Sequence, residues 1–314
     1  MVTSNVGSRR TLIVAAAIAL AVLVAASGCQ PGRGGTGSES IPAFDHVFMI
    51  LMENKDYQEV IGSPDAPFIN KLAREYALAG SYYGIRHPSL PNYLALISGS
   101  TQGMTYDCPD CSFDSPNLAD QIEASRKSWR AYAEDLPEPC FNGASAGTIP
   151  ATGRPLYVRK HNPWMYFGRI AGNPARCASV VPLSRLQSDL ANNRLPDLTY
   201  IVPNMLHDMH DGSVRDGDAW LADNVPAIIA SPAWKENGVL FLLWDEGNGD
   251  EGCCGVNGGR TIAIVAASAG KTGFVSKAQY THYSVLRTIE DGWKLGLLGE
   301  AGARETQPMA DFFK

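Results

Sequence analysis

Five residues in the second half of the chain combine two imidazoles with two carboxylates. They read His207-Asp208-Met209-His210-Asp211. So dense a cluster of His and Asp is typical of metal-binding or acid–base sites, although a solvent-exposed loop can have the same composition. We therefore take Asp208 and His210 as candidate catalytic residues.

Three apolar runs, each predicted to be a buried strand, end in polar residues that a core does not need. The runs are His46–Met52, Leu198–Val202 and Val239–Trp244, and they lead into Glu53-Asn54, the His/Asp cluster and Asp245-Glu246. Ligands of open α/β sheets bind beyond the carboxyl ends of the strands, so these side chains are expected to converge. Several carboxylates in one place repel one another and need a compensating cation. The sequence therefore predicts a metal site at this edge.

Ser89 lies in the stretch His87-Pro88-Ser89-Leu90-Pro91-Asn92-Tyr93, just before a helix predicted over Pro91–Ile97. A helix N-terminus favours negative charge, which would help both a serine alkoxide and a bound phosphate. Serine is also a favoured N-cap, so the local sequence leaves a purely structural role open. His161, in a loop, and His282, near the start of a predicted helix, are equally ambiguous by themselves.

The elements that must position these residues alternate between strand and helix. Helices are predicted at Phe68–Tyr76, from Asn117 as N-cap through Ser125, and at Tyr280–Leu295, and a further strand at Thr261–Ala266. This alternation predicts a mostly parallel central sheet with helices on both faces. A net charge of −6 without any basic run gives no indication of nucleic-acid binding.

The N-terminus has the features of an export signal. Arg9 and Arg10 precede the apolar run Leu12–Ala26, which is short for a membrane span, and Ala26-Ser27-Gly28-Cys29 resembles the bacterial lipobox. We expect a signal peptide over residues 1–28, a lipidated Cys29 with a flexible tether to residue 42, and one domain over 43–314. The protein would then be exported and anchored on the outer face of the membrane, or secreted if the signal is an ordinary one.

Six cysteines follow Cys29, and an even number in an exported chain predicts disulfide bonds. We expect Cys108–Cys111 and Cys140–Cys177, which leaves Cys253 with Cys254. A bridge between neighbours is strained, so pairing of each with another cysteine stays open.

Taken together, these residues resemble the bacterial phosphoesterase family that includes secreted acid phosphatases and phospholipase C-type enzymes. The resemblance runs from Phe44 onward through eight ordered blocks: Met52-Glu53-Asn54, Ala66-Pro67-Phe68-Ile69-Asn70, the serine block from His87 to Leu96, Lys160-His161-Asn162-Pro163, Asp208 to Ser213, Gly217-Asp218-Ala219-Trp220-Leu221, Trp244-Asp245-Glu246-Gly247 and His282 to Leu286.

The resemblance implies an alkaline-phosphatase-like fold with Ser89 as the nucleophile. It implies that one metal ion is held by Glu53, Asn54, Ser89, Asp245 and Glu246. Asp208, His210 and His282 would lie across the phosphate as a second metal site or as acid–base groups, and His161, His87 and Asn92 would contact the substrate.

Two departures from the wider superfamily bear on the metal. Asn54 and Glu246 stand where many relatives have Asp and His, and such an oxygen-rich set suits Mg²⁺, Mn²⁺ or Ca²⁺ better than Zn²⁺. The identity and number of the ions stay open. His207 replaces an Asn that often precedes Asp208 in relatives, so no ligand role is carried over to it.

The resemblance predicts an acid phosphatase that hydrolyses phosphate monoesters through a phosphoserine, with a phosphorylated small molecule or lipid as substrate. A phospholipase C-type phosphodiesterase with a wider pocket is the nearest alternative. A solute-binding lipoprotein would explain Cys29 but not the carboxylates at the strand ends. A serine acyl hydrolase is a weaker alternative, because this sequence contains no G-x-S-x-G element. Specificity is expected to lie in the loop-rich segment 137–176.

Overall fold

The computed structural model describes residues 40–313, and its centre is a nine-stranded sheet. The predicted signal peptide, Cys29 and most of the predicted tether fall within residues 1–39, so these predictions lie outside the described residues.

The strands and helices follow the predicted alternation. The strands are β1 His46–Met52, β2 Ala77–Tyr83, β3 Trp129–Ala133, β4 Ser145–Ala146, β5 Tyr157–Val158, β6 Val180–Pro182, β7 Leu198–Val202, β8 Gly238–Trp244, β9 Arg260–Thr261, β10 Ala263–Ala267 and β11 Phe274–Thr281. The helices are α1 Tyr57–Val60, α2 Pro67–Glu75, α3 Ser89–Ser98, α4 Leu118–Ala124, α5 Gly168–Ala171, α6 Pro174–Cys177, α7 Ser184–Ala191, α8 Val214–Ala230, α9 Pro232–Lys235 and α10 His282–Trp293.

The sheet is mixed and mostly parallel, as predicted. Its order is β11-β2-β10-β8-β1-β7-β3-β6, with β9 paired to β2. β1 runs parallel to both β7 and β8, whereas β10 runs antiparallel to β8 and β2. The single strand predicted over Thr261–Ala266 is wrong in detail, because it divides into β9 and β10, which pair antiparallel with their neighbours.

The sheet is covered on both faces, and β1 shows how. Val47, Met49 and Leu51 face a core that α3 and α10 share, whereas the alternate residues of β1 face a core that α2 and α8 share. A strand buried on both faces has no polar side, so it appears in the sequence as an unbroken apolar run. This explains why β1, β7 and β8 could be predicted from composition.

Helix boundaries agree with the sequence where a cap defines them. Asn117 caps α4, its side-chain oxygen accepting a hydrogen bond from the Ala119 amide at 3.0 Å. The last predicted helix, Tyr280–Leu295, begins two residues later than expected, because Tyr280 belongs to β11.

The cysteines pair as expected. Cys108 is bonded to Cys111 and Cys140 to Cys177, with S–S distances of 2.06 and 2.01 Å, and Cys253 lies against Cys254. None of the helices within residues 40–313 has the length and apolar character needed to span a bilayer.

Candidate active site

The polar residues after β1, β7 and β8 meet at one edge of the sheet. Met52 and Trp244 are register partners, so Glu53 and Asp245 leave adjacent strands side by side. The Asp245 amide donates to the Met52 carbonyl at 3.0 Å, and the Glu53 amide donates to the Asp208 carbonyl at 2.8 Å. Parallel strands thus bring three carboxylates together from distant parts of the chain.

Ser89 is the first residue of α3 and is buried against Glu53. The prediction that α3 begins at Pro91 is wrong by two residues, and Pro88 occupies the N-cap position. The Ser89 hydroxyl donates to Glu53 Oε2 at 3.0 Å, and Ser89 is the first helical residue and not the N-cap. The geometry therefore does not give Ser89 the alternative role of an N-cap.

Glu53 is the hub of a buried network. Its Oε1 accepts a hydrogen bond from the Tyr93 hydroxyl and lies 3.1 Å from His161 Nε2. His161 Nδ1 lies 3.1 Å from Asp208 Oδ2, and the His161 ring stacks on Tyr93 with centroids 5.1 Å apart. The structure thus brings His161 between two predicted site carboxylates.

Tyr93 was not predicted as a site residue. It follows Ser89 by four positions, so a helix beginning at Ser89 places both side chains on one face. A helix predicted to begin at Ser89 would have placed Tyr93 at the site.

Asn54 and Glu246 complete the group around Asp245. The Asn54 amide donates to Asp245 Oδ1 at 3.1 Å, and its side-chain nitrogen donates to Glu246 Oε1 at 2.9 Å. Asn54 has a φ of +28°, a backbone conformation that Asn tolerates better than most residues. This conformation turns its amide back toward both carboxylates.

Two residues expected to contact substrate lie against Glu246. Asn92 donates to Glu246 Oε2 at 3.0 Å, and its oxygen accepts from the Ile85 and Arg86 amides. His87 Nδ1 lies 3.1 Å from Glu246 Oε2, and its Nε2 lies 3.1 Å from the Gly249 carbonyl. Because these polar atoms are engaged by the protein, the geometry gives both residues a positioning role.

His210 has a ring nitrogen free of hydrogen bonds at the site. Its amide donates to Asp208 Oδ1 at 2.7 Å, and its Nδ1 lies 2.8 Å from Asp211 Oδ1. Asp211, a residue that the sequence analysis did not assign, also pairs with Arg154 at 2.7 Å. Nε2 has no hydrogen-bond partner among residues 40–313. Burial above all lowers the His210 pKa, so the neutral ring is favoured.

His282 lies behind Asp245. The Tyr82 hydroxyl contacts its Nδ1, and its Nε2 contacts the Asp245 carbonyl oxygen. Burial lowers its pKa to about 4, so the ring is neutral. With both nitrogens engaged, His282 supports Asp245 and has no nitrogen left for a leaving group. His207 also points elsewhere: its Nδ1 lies 2.9 Å from Glu134 Oε2.

Burial and mutual repulsion raise the pKa values of the carboxyl groups at the site. Burial, and then the charge of Asp245, raises the pKa of Glu53. Burial, and then the charge of Glu246, raises the pKa of Asp245. Burial, and then the charge of Glu53, raises the pKa of Asp208. The same two causes raise the pKa of Glu246 to about 8. Such groups ionise together only where a positive charge compensates them.

Among the five residues expected to hold the metal, two buried oxygens make no hydrogen bond. They are Asn54 Oδ1 and Asp245 Oδ2. Unpaired buried acceptors are costly, and a hard cation would satisfy both. His, Cys, Asp and Glu side chains alone form no group of three or more suited to a metal within the described part. A metal at this edge would therefore need the side-chain amide oxygen of Asn54 and the hydroxyl of Ser89 among its donors.

A solved structure described as a protein in the alkaline phosphatase superfamily from Vibrio parahaemolyticus matches this fold. Its TM-score is 0.55 at 12% identity, over 86% of this chain and 72% of that chain. The buried serine and the carboxylates at the sheet edge thus lie on an alkaline-phosphatase-like fold.

The family model described as "Phosphoesterase family" matches residues 63–296, and the chain belongs to that family. It is an enzyme, a phosphoric ester hydrolase. The chain is 33% identical to the phosphatidylinositol-3-phosphatase of Mycobacterium tuberculosis, over 93% of this chain and 91% of that protein. It is 29% identical to an acid phosphatase of Aspergillus fumigatus, over 89% of this chain and 61% of that protein.

Proposed function

We propose that this protein is a metal-dependent phosphatase that hydrolyses phosphate monoesters through a phosphoserine at Ser89. The observation that carries the proposal is the 3.0 Å hydrogen bond from the Ser89 hydroxyl to buried Glu53, at the point where three strand ends meet. The two curated relatives described above are both named as phosphatases, which supports the same activity.

In the first displacement, the Ser89 oxygen attacks phosphorus. Glu53 accepts the hydrogen bond of the hydroxyl, so the proton leaves toward a group already aligned with it. The bond from Ser89 Oγ to phosphorus forms as the bond to the leaving oxygen breaks. Tyr93 holds Glu53 in place from its other oxygen, which also lies 3.1 Å from His161 Nε2.

His210 is suited to proton transfer on the opposite side of the phosphate. Asp211 beside Nδ1 favours the tautomer with its proton there, which leaves Nε2 as the reactive nitrogen. In its protonated form the ring donates a proton to the leaving alcohol. As the neutral ring it then takes a proton from the water that attacks phosphoserine. Phosphate leaves as the bond from Ser89 Oγ to phosphorus breaks, and Ser89 takes back the proton that Glu53 accepted.

The metal would be held by Glu53, Asn54, Ser89, Asp245 and Glu246. The unpaired Asn54 and Asp245 oxygens and the raised carboxyl pKa values support this set, which is oxygen-rich and so favours Mg²⁺, Mn²⁺ or Ca²⁺ over Zn²⁺. When bound, such an ion supplies positive charge that lowers the pKa of the nucleophile and neutralises phosphoryl oxygens. His282 and Asn92 would position Asp245 and Glu246.

A monoester should be the better substrate. We expect kcat/KM for p-nitrophenyl phosphate to exceed that for bis-p-nitrophenyl phosphate by at least about tenfold, because a second ester group must be accommodated in the diester. Release of p-nitrophenol from each, measured with and without chelator, checks this. A preference for the diester would instead indicate the phospholipase C type, and the absence of turnover on both would contradict the assignment.

We also propose that the protein is exported and lipid-anchored, which rests on Ala26-Ser27-Gly28-Cys29. Cys29→Ala should block lipidation and processing at that position, because the cysteine is the modified residue. Metabolic labelling with a fatty acid in a bacterial host should mark the wild type and leave the variant unlabelled. An unlabelled wild type in a host with intact lipoprotein processing would refute the anchor.

A further inference from the structure

The site presents an electrostatic problem for its own substrate. A phosphate monoester carries up to two negative charges, and it must approach four buried carboxyl groups: Glu53, Asp208, Asp245 and Glu246. Like charges at short range repel strongly where water is excluded. One cation at the proposed metal site would balance part of this charge, so a second positive group facing the phosphate is needed.

Lys160 supplies a positive charge that reaches the whole cluster. Its charge acts to lower the pKa of each of the four carboxyl groups. Burial acts to lower the pKa of Lys160 itself, but Glu53 and Asp107 outweigh it, so the ammonium stays charged. Lys160 comes from the loop-rich segment, directly before His161.

Asp107 ties this ammonium to the helix of the nucleophile. Lys160 Nζ donates to Asp107 Oδ2 at 2.9 Å, and Asp107 Oδ1 accepts from the Leu90 amide at 3.0 Å. Leu90 directly follows Ser89. The ammonium has three donors, and Asp107 takes the one hydrogen bond that it makes within the described residues. Two donors are therefore free for another anion.

The surroundings of Asp107 hold it in place. Arg159 donates to the Pro109 and Cys111 carbonyls, at 3.0 and 3.2 Å, so it fixes the turn closed by the Cys108–Cys111 bond. A cavity of about 130 Å³ is lined by Asp107, Lys160 and Tyr166 among others. The ammonium of Lys160 is thus held by Asp107, and 20% of the lysine side chain stays exposed.

We infer that Lys160 binds the phosphoryl group of the substrate and that Asp107 positions it, an inference that rests on the proposed function. A lysine contacts phosphate as a point charge, and an ammonium already fixed by Asp107, which also holds the Leu90 amide, needs little reorganisation when the substrate arrives. Asp107 is a positioning residue, because it acts through Lys160 and the Leu90 amide.

The test compares Lys160→Gln, Lys160→Arg and Asp107→Asn with wild type. For Lys160→Gln we expect the Kd for inorganic phosphate, measured by titration calorimetry, and the KM for p-nitrophenyl phosphate to rise by at least about tenfold, because a charge-assisted contact is lost. Lys160→Arg should recover part of both. Asp107→Asn should raise both by less, since the charge remains but its position is no longer fixed.

Lys127→Gln is the matched control. Lys127 is also partly buried and paired with an aspartate, Asp197 at 3.3 Å, and its side chain is 27% exposed against 20% for Lys160. It should leave the phosphate Kd unchanged. Equal phosphate affinity in Lys160→Gln and wild type would overturn the inference, as would an equal loss in Lys127→Gln.

A measurement on the unmodified sequence covers the case in which Lys160→Gln does not fold. Inorganic phosphate should slow acetylation of Lys160 but not of Lys127, as read by peptide mass spectrometry. Equal acetylation of Lys160 with and without phosphate would overturn the inference. A wild type that binds phosphate through Lys160 but does not hydrolyse p-nitrophenyl phosphate would refute the proposed function and leave the anion site standing.

Discussion

Ser89→Ala is expected to lower kcat for p-nitrophenyl phosphate by at least about a thousandfold, because the change removes the atom that attacks phosphorus. The fold should survive. The lost hydroxyl makes one hydrogen bond, to Glu53, so the free energy of unfolding should fall by no more than about 1 kcal/mol. Steady-state kinetics and thermal denaturation measure the two effects separately.

Ser98→Ala is the matched control for Ser89→Ala. Ser98 is buried at the other end of α3, and its hydroxyl donates to the Leu94 carbonyl at 2.7 Å. Because the Ser98 hydroxyl also accepts from Gln102 Nε2 at 2.9 Å, the change should cost at least as much stability as Ser89→Ala and leave kcat near wild type. Acid quench with labelled substrate should also trap phosphate on the peptide that contains Ser89. Near wild-type turnover in Ser89→Ala would end the phosphoserine mechanism and favour direct attack by water.

Asp245→Asn is expected to abolish metal retention and activity together. Loss of a group that only orients a ligand typically weakens metal affinity by about 10–100-fold, so loss of a ligand should weaken it by at least about 100-fold. The metal-free protein should not lose stability, since one negative charge leaves a buried, mutually repelling cluster. Elemental analysis, kinetics and melting curves with and without added Mg²⁺, Mn²⁺, Ca²⁺ or Zn²⁺ test each part. Glu53→Gln should behave in the same way.

Asp189→Asn is the matched control, because it replaces a buried carboxylate that lies outside the site. Asp189 is also buried, but it is paired with Arg130 at 2.5 Å and with the Tyr132 hydroxyl at 2.9 Å. Its replacement should cost about 1–3 kcal/mol of stability and leave the metal content unchanged. Full wild-type activity after exhaustive chelation, with no metal found by elemental analysis, would refute metal dependence.

The sequence by itself determined the strands that build the site edge. β1, β7 and β8 are buried on both faces, so each is an apolar run whose end is marked by the first polar residue, such as Glu53 after Met52. Strand order in a parallel sheet then makes those ends converge. The ordered motifs, from the serine block to Asp245-Glu246, also indicated the family from the sequence alone, because they lie at the ends of these elements.

Only the tertiary structure decided what each polar side chain does at that edge. His282, Asn92 and His207 have the residue types of a site, yet their polar atoms are engaged by Tyr82, Glu246 and Glu134. Those partners are distant in sequence.

Tyr93 and Asp211 join the site through local geometry, and Lys160 is proposed to join it from a distant loop. Their roles follow from a helix that starts at Ser89, from a side-chain pair in a turn, and from a loop-rich segment fixed by Arg159. Periodicity records which face of an element is buried, but it contains nothing about the direction of a loop side chain. That direction is set by long-range hydrogen bonds and packing, which exist only once the chain has folded.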